Sequence, residues 1–376
     1  MSPDFFDLTV FGWTGYFMLA AGAVLTLGIQ LGIYLKLAFL KERKGISSER
    51  PVSILLTVRN EEQRIAGLLL QLLEQQYREF EIIVVDIFSE DNTLTIVGAL
   101  AKNHSRLKFS ALTQQMRNSE KMAVNLALKA ASYDHVIFLS PEIASVPPNF
   151  LTKLNEGLTD NESLRLNYVN FLPREGFYNC WCRIERFYDF LTSAAYSLSG
   201  STLFFQQANV FFPRTIYFKW DGFKGRMNDD FANMELLFNK EKQARVVVSY
   251  ETDTMLGEDT VVTGHDFGEL IKKRIRIIKE LSWKKRIILT LEDFSVILLT
   301  TGLVWLLITE KDYWYYYLIP LVLVFSLHVF IVKSLQNRLN ERKIFIPSLV
   351  YLLVRPLISC YYRVAIAIFM PRNKWI

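Results

Sequence analysis

The chain has 376 residues and only three cysteines, Cys180, Cys182 and Cys360. An odd count with a tight Cys-Trp-Cys pair gives neither a disulfide framework nor zinc-site spacing. Reduced thiols in a cytoplasmic domain are the expectation. A strong charge bias is also missing: 43 Lys and Arg against 38 Asp and Glu leave a net +5. That balance argues against nucleic acid as a partner, and local basic clusters suit a lipid bilayer surface better. There is no internal repeat and no low-complexity tract. The first apolar run follows Asp4 and Asp7 rather than a basic stretch, so it does not read as a cleaved signal peptide.

What the chain does have is hydrophobicity, 51% of residues with 14% aromatic, concentrated at its two ends. Residues 12–40 are apolar and uncharged until Lys36, long enough to span a bilayer. Lys36, Lys41, Arg43 and Lys44 follow, and such clusters mark the cytoplasmic side. Residues 294–308 and 313–332 form a second apolar block around the polar turn at Glu310, read as a helical hairpin. Its first arm is short, so tilt or thinning is expected. Residues 344–370 contain Arg355-Pro356 and Arg363. A charge in mid-membrane is costly, so a re-entrant or interfacial helix pair is favoured over a spanning helix. The expected division is a membrane helix with its basic flank (1–44), a cytoplasmic domain (45–265), a basic amphipathic interfacial helix (266–290) and a C-terminal membrane region (291–376).

The middle alternates strand and helix. Val52 to Val58, Phe80 to Asp86, Leu107 to Ser110 and His135 to Leu139 read as strands, joined by helices that include Ser119 to Ala131. Such runs imply a mainly parallel sheet covered on both faces. Ligands bind beyond the carboxyl ends of such strands, where Asp86 and Ser140-Pro141-Glu142 fall. Asn60 is expected to cap the helix after the first strand, with Glu61 and Glu62 in its first turn.

The segments at those ends form an ordered series. Thr57-Val58-Arg59-Asn60-Glu61-Glu62 closes the first strand. Val85-Asp86-Ile87-Phe88-Ser89-Glu90-Asp91-Asn92-Thr93 closes the second. Lys121-Met122-Ala123-Val124-Asn125 opens a helix, where an ammonium beside backbone N–H groups attracts phosphate. Ser140-Pro141-Glu142 follows the His135 strand. Gln207-Ala208-Asn209 leads through Gly222-Phe223 to Asp229-Asp230, and Lys273-Arg274-Ile275-Arg276-Ile277 lies in the amphipathic segment. Each alone admits a plainer reading as a capped turn or a solvated charge. Together, over residues 50 to 285, they resemble the nucleotide-sugar domain of family 2 glycosyltransferases.

The resemblance implies a GT-A-like α/β fold, a mixed but mainly parallel sheet flanked by transmembrane helices. It implies a membrane-bound bacterial enzyme moving a sugar, with inversion, from a nucleotide sugar to a lipid-linked or glycan acceptor. Thr57, Arg59, Glu61, Asp86 and Lys121 would bind the nucleotide, with Asp86 accepting from uracil. Asp230, beside Asp229, would be the general base. Asn209, Lys273 and Arg276 would face the acceptor and diphosphate. Glu142 would be the residual ligand of a divalent cation, Mg²⁺ or Mn²⁺. The chain departs from the family pattern at Ile87, Glu120, Ser140 and the Lys273 segment, all on the donor side. Those departures leave open a second reading, an inactive relative acting as scaffold for a membrane-protein partner.

Overall fold

The first apolar segment folds as α1 (Val10–Ile29), a π-helical turn (Gln30–Tyr34) and α2 (Leu35–Phe39). This is a computed structural model, and it describes residues 10–40, 49–116, 118–156, 158, 163–227, 229, 232–240, 245–310 and 314–369. The basic flank Lys41, Arg43 and Lys44, and Lys311 and Asp312 of the expected polar turn, lie outside the described residues. The chain divides into two bodies, Met1–Leu40 with Phe267–Ile376, and Lys41–Asp266.

In the second body β1 (Val52–Val58) leads to α3 (Ile65–Leu73), β2 (Phe80–Asp86), α4 (Thr93–Asn103), β3 (Leu107–Ala111), α5 (Ser119–Ala130) and β4 (His135–Leu139). Short elements follow: β5 (Ile143–Ser145), α6 (Phe150–Asn155), β6 (Leu164–Leu166) and β7 (Val169–Phe171). Then come α7 (Phe177–Leu198), β8 (Val210–Pro213), α8 (Thr215–Lys219), α9 (Met234–Phe238), β9 (Val246–Val248) and β10 (Leu256–Glu258). The main sheet has seven strands in the order β3-β2-β1-β4-β8-β6-β9. The β1, β2, β3 and β4 pairings are parallel, while β8 runs antiparallel to both β4 and β6. The sheet is therefore mixed and mainly parallel. A second sheet, β5-β10-β7, lies beside the end of β4.

Buried faces explain these elements. The strands β1, β2 and β4 are almost wholly buried, as near-continuous aliphatic runs require. Helix α3 buries Ile65, Leu68, Leu69 and Leu72, the spacing of one helical face, against Ile54, Leu56, Ile82 and Val84. The expected cap at Asn60 is not formed. Asn60 is left-handed (φ 55°), its side-chain oxygen accepts from the Glu90 amide, and α3 begins five residues later.

The first body is completed by α10 (Gly264–Glu280), α11 (Trp283–Thr309), α12 (Trp314–Arg338) and α13 (Phe345–Phe369). Among the described residues four helical segments are long and apolar enough to cross a membrane: Gly12–Phe39, Trp283–Thr309, Trp314–Arg338 and Phe345–Ile368. Leu19, Ala23, Leu299, Leu306, Tyr317 and Val324 form the core between α1, α11 and α12. Gly22 and Gly302 let α1 and α11 touch backbone to backbone. A Cβ on Gly22 would lie 2.4 Å from the Leu299 nitrogen, and one on Gly302 2.5 Å from that of Leu19. Small residues permit such close crossings. Thr26 donates to Ser295 at 3.0 Å, and Tyr34 to Glu292 at 2.6 Å.

Three boundaries differ from expectation. The amphipathic helix stops at Glu280, and Trp283–Arg286 open α11 instead, with Ser282 in an extended conformation at the break. The hairpin's first arm is consequently 27 residues, with no shortfall in length. Residues 345–369 form one continuous helix, with Pro356 inside it, rather than a pair.

Candidate functional site

Strand register gathers the predicted residues of the second body. Val58 lies opposite Asp86 and Thr57 opposite Val85, while Leu56 lies opposite Leu139. The turns after β1, β2 and β4 therefore leave the sheet side by side at its carboxyl edge. Thr57 is half-buried on β1, and Arg59 is exposed, donating to Gln115 at 3.0 Å.

The first two turns are knitted together by side chains reaching backbone. The Asn60 amide donates to Ser89 Oγ at 2.9 Å, the Glu61 amide to Thr93 Oγ1 at 2.7 Å, and the Glu62 amide to Asp91 Oδ2 at 3.1 Å. In return Glu90 N donates to Asn60 Oδ1 at 2.9 Å and Asn92 N to Glu62 Oε2 at 3.0 Å. Asp91 also accepts from the amide and hydroxyl of Thr93. Each such bond contributes roughly 0.5–1.5 kcal/mol net, and together they fix two loops that no strand ladder holds. The spacing of Ser89, Asp91 and Thr93, legible in sequence, is the chemistry of this clasp.

Asp86 is buried at the end of β2, and its two carboxylate oxygens accept from the Ser89 amide (2.9 Å) and the Ser89 hydroxyl. Glu61 is half-buried. Burial holds its carboxyl above the usual range; Arg64 opposes this, while Glu142 and Asp91 push it further up. The charge of Glu142 thus acts on Glu61 at the same edge.

Ser140 is turned to local work: its hydroxyl accepts from the Glu142 amide at 3.2 Å. Among the described residues no group of three or more His, Cys, Asp or Glu could hold a metal ion. Glu142 with Glu61 as its neighbour does not fit a protein-built Mg²⁺ or Mn²⁺ centre. The Glu142 carbonyl accepts from the Asp259 amide at 2.8 Å, which ties β10 to this turn.

Lys121 differs from the phosphate-facing lysine that the resemblance implies. It is buried on α5, and its ammonium donates to the main-chain carbonyls of Arg226 (2.8 Å) and Asp229, with the Phe223 ring 5.6 Å away. A buried cation needs such partners, and here they anchor the turn that carries Asp229. Asp229 is half-buried in that turn, and the next helix, α9, begins only at Met234. Asp230 lies outside the described residues. Glu120 accepts from Asn233 at 2.6 Å.

Asn209 is fully buried and left-handed (φ 59°). Its side-chain amide donates to the carbonyls of Tyr168 and Thr254, both at 2.9 Å, so it clamps the core rather than facing an acceptor. Lys273 and Arg276 sit half-buried on α10, in the other body. The sequence reading missed Arg186, whose guanidinium stacks 3.7 Å above Phe171 and pairs with buried Glu258. It also missed Arg174, paired with Asp259. Both attach to strand β10 or its end, and a three-residue strand carries no periodic signal.

The family model described as Glycosyl transferase family 2 matches residues 53–164, the stretch that holds the clasp, Lys121 and Glu142. Residues 53–164 are thus similar to the domain that this family model describes. A stretch of 91 residues is 32% identical to poly-beta-1,6-N-acetyl-D-glucosamine synthase of Staphylococcus epidermidis, covering 24% of this chain and 21% of that protein. The chain thus matches about a fifth of the length of its curated relatives. A mannosyltransferase from Pyrobaculum calidifontis, solved with GDP-Man and Mn²⁺, superposes with a TM-score of 0.56 at 16% identity, over 92% of this chain and 99% of that one. S. aureus TarS 1–349 matches at 16% identity, over 86% of this chain and 93% of that one, with a TM-score of 0.43. The mannosyltransferase likeness is one of fold, and it bears out the GT-A-like sheet with flanking apolar helices around the segment that the family model matches.

Proposed function

We propose that the protein is a membrane-bound glycosyltransferase that moves a sugar from a nucleotide sugar to a glycan or lipid-linked acceptor. The observation that carries this is the clasped pair of turns at the carboxyl edge, inside the segment matched to family 2. The S. epidermidis relative, a poly-N-acetylglucosamine synthase by name, supports a cell-envelope glycan as the product class. Asp86, at the end of β2, would accept from the imide of a uracil base, which favours a UDP-linked donor. The acceptor hydroxyl attacks the anomeric carbon directly, with inversion, and the nucleoside diphosphate leaves. Asp230, next to Asp229, takes the hydroxyl proton. Lys273 and Arg276 balance charge on the leaving diphosphate. Any divalent cation would be brought by the diphosphate itself rather than held by a protein-built centre. Residues 45–265 would face the cytoplasm of a bacterium, at its inner membrane.

One observation favours a second reading, an inactive partner of a synthase. Lys121, an expected donor-side group, is committed to carbonyls, and Ser140, one of the departures from the family pattern, serves its own turn. Calorimetric titration of the detergent-solubilised protein with UDP, with and without Mn²⁺, separates the two. Saturable UDP binding, together with a turnover that Asp230→Asn cuts by roughly 10²–10⁴, supports the enzyme. No UDP binding under either condition replaces it with the scaffold.

A further inference from the structure

The segment that carries Asp229 and Asp230 has no regular structure of its own. Between α8, which ends at Lys219, and α9, which begins at Met234, the described residues form neither helix nor strand. A general base works only within hydrogen-bond reach of the proton it takes, and a displacement of about 1 Å can cost about 10²-fold in rate. A base on such a segment has to be fixed from outside it.

Helix α5 supplies the fixings, with partners 92 to 113 positions away in sequence. At the start of the segment the Tyr217 hydroxyl donates to Asn125 Oδ1 at 2.8 Å, and the Tyr217 ring meets Phe223 edge-on, centroids 5.5 Å apart. In the middle the Lys121 ammonium donates to the carbonyls of Arg226 (2.8 Å) and Asp229. At the end Glu120 Oε1 accepts from Asn233 Nδ2 at 2.6 Å. Adjacent residues on a helix diverge by about 100°. Lys121 thus takes the chain at Asp229 and Glu120 takes it at Asn233, one on each side of Asp230 in sequence. The chemistry of each hold is matched, since carbonyls receive a cation and an amide N–H receives a carboxylate. A cation in the first turn of a helix is opposed by the dipole and by burial, and the carbonyls offset both. An acid in that turn is favoured by the dipole alone, but the dipole does not fix its side chain, and the bond to Asn233 does.

We infer that Glu120 and Lys121 are positioning residues for the base turn, holding it on both sides of Asp230, and that Lys121 does this instead of binding the diphosphate. The inference rests on the glycosyltransferase reading. It gives a use to Glu120, one of the departures from the family pattern, and it makes the commitment of Lys121 to carbonyls part of an active site rather than a sign of a lost one.

The test uses the full chain in detergent. Hydrogen exchange of the peptide from Arg226 to Asn233 is expected to quicken in Glu120→Ala and Lys121→Met. It is expected to keep the wild-type rate in Glu120→Gln, which retains an acceptor oxygen for Asn233. Glu120 is exposed, so its variants decide the matter even where Lys121→Met does not fold. In turnover assays Glu120→Ala and Lys121→Met are expected to lower kcat by roughly 10–100-fold. KM for the nucleotide sugar and the affinity for UDP stay as in the wild type, and Glu120→Gln restores kcat. Unchanged exchange in Glu120→Ala overturns the inference, and so does quickened exchange with kcat unchanged, which leaves a structural contact only. A UDP affinity that falls by about tenfold or more in Lys121→Met, the loss expected when a charge-assisted bond to the diphosphate goes, overturns it as well. A wild-type protein with neither UDP binding nor turnover removes the glycosyltransferase reading and this inference with it, a result read before any variant is compared.

Discussion

Glu61 is less comfortable folded than unfolded. Burial, and then the charges of Glu142 and Asp91, raise its carboxyl pKa against the pull of Arg64. For a raised carboxyl, the folded state is favoured below the unfolded value near 4.5 and loses that advantage as pH rises through the folded value. Glu61→Gln should therefore raise the thermal midpoint at pH 7, and the gain should vanish below about pH 4.5. Equal midpoints at pH 7 would mean the strain is absent. His135 works in the other direction. Burial, with the Arg50 charge adding, lowers its pKa to about 4, opposed by Asp134, and its ring stacks on Phe211. Stability is then full above the model-compound value of 6.5 and is lost as pH falls toward 4. That window should cost about 3 kcal/mol. Acid denaturation curves of His135→Gln should be flatter between those pH values.

At the scale of elements, the tightest constraint is the α1–α11 crossing. Gly22→Val would drive a branched side chain into the Leu299 backbone, an overpacking cost of about 1–3 kcal/mol. The expected readout is a lowered midpoint in detergent, with Gly28→Ala, where a Cβ meets nothing within 4 Å, as the silent control. The strands β1, β2 and β4 were legible to the residue because each is a buried aliphatic run ending in a polar turn. The spacing of Ser89, Asp91 and Thr93 was legible too, but its partners were not, because they sit thirty residues away on another loop. Lys121 and Asn209 were read as ligand-facing from motif position alone. Burial decides such cases, and a sequence does not show which side of a helix or turn faces inward until its neighbours are placed. The short strands β5, β7 and β10 and the long helix α7 were not foreseen; the strands are too brief for a period, and α7 mixes polar and aromatic residues along its buried length.

At the scale of the molecule, two bodies have separate cores. One is built on β1, β2 and β4, the other on α1, α11 and α12. A single cooperative transition is not required of such a chain. Urea added to the protein in detergent micelles should remove the circular-dichroism signal of the strand-bearing body first and leave that of the apolar helices. Loss of both signals at one midpoint would show that the two bodies are coupled.

The π-helical turn at Gln30–Tyr34 has a consequence for insertions and deletions. Thr26 and Tyr34 both meet α11, yet eight α-helical residues would leave them about 80° apart around the axis. The wide turn absorbs one residue, and the remaining seven return Tyr34 to within about 20° of Thr26. The segment therefore behaves as an ordinary helix carrying one extra residue. Removing exposed Gly32 should convert it to a regular α-helix with both contacts to α11 intact. Removing a residue from the regular helix just before Thr26 should instead swing the Leu19 and Gly22 side of α1 away from its partner. The molecule should thus tolerate a shortened chain at the one place where its helix is irregular, and membrane-inserted yield of the two deletions would measure the difference.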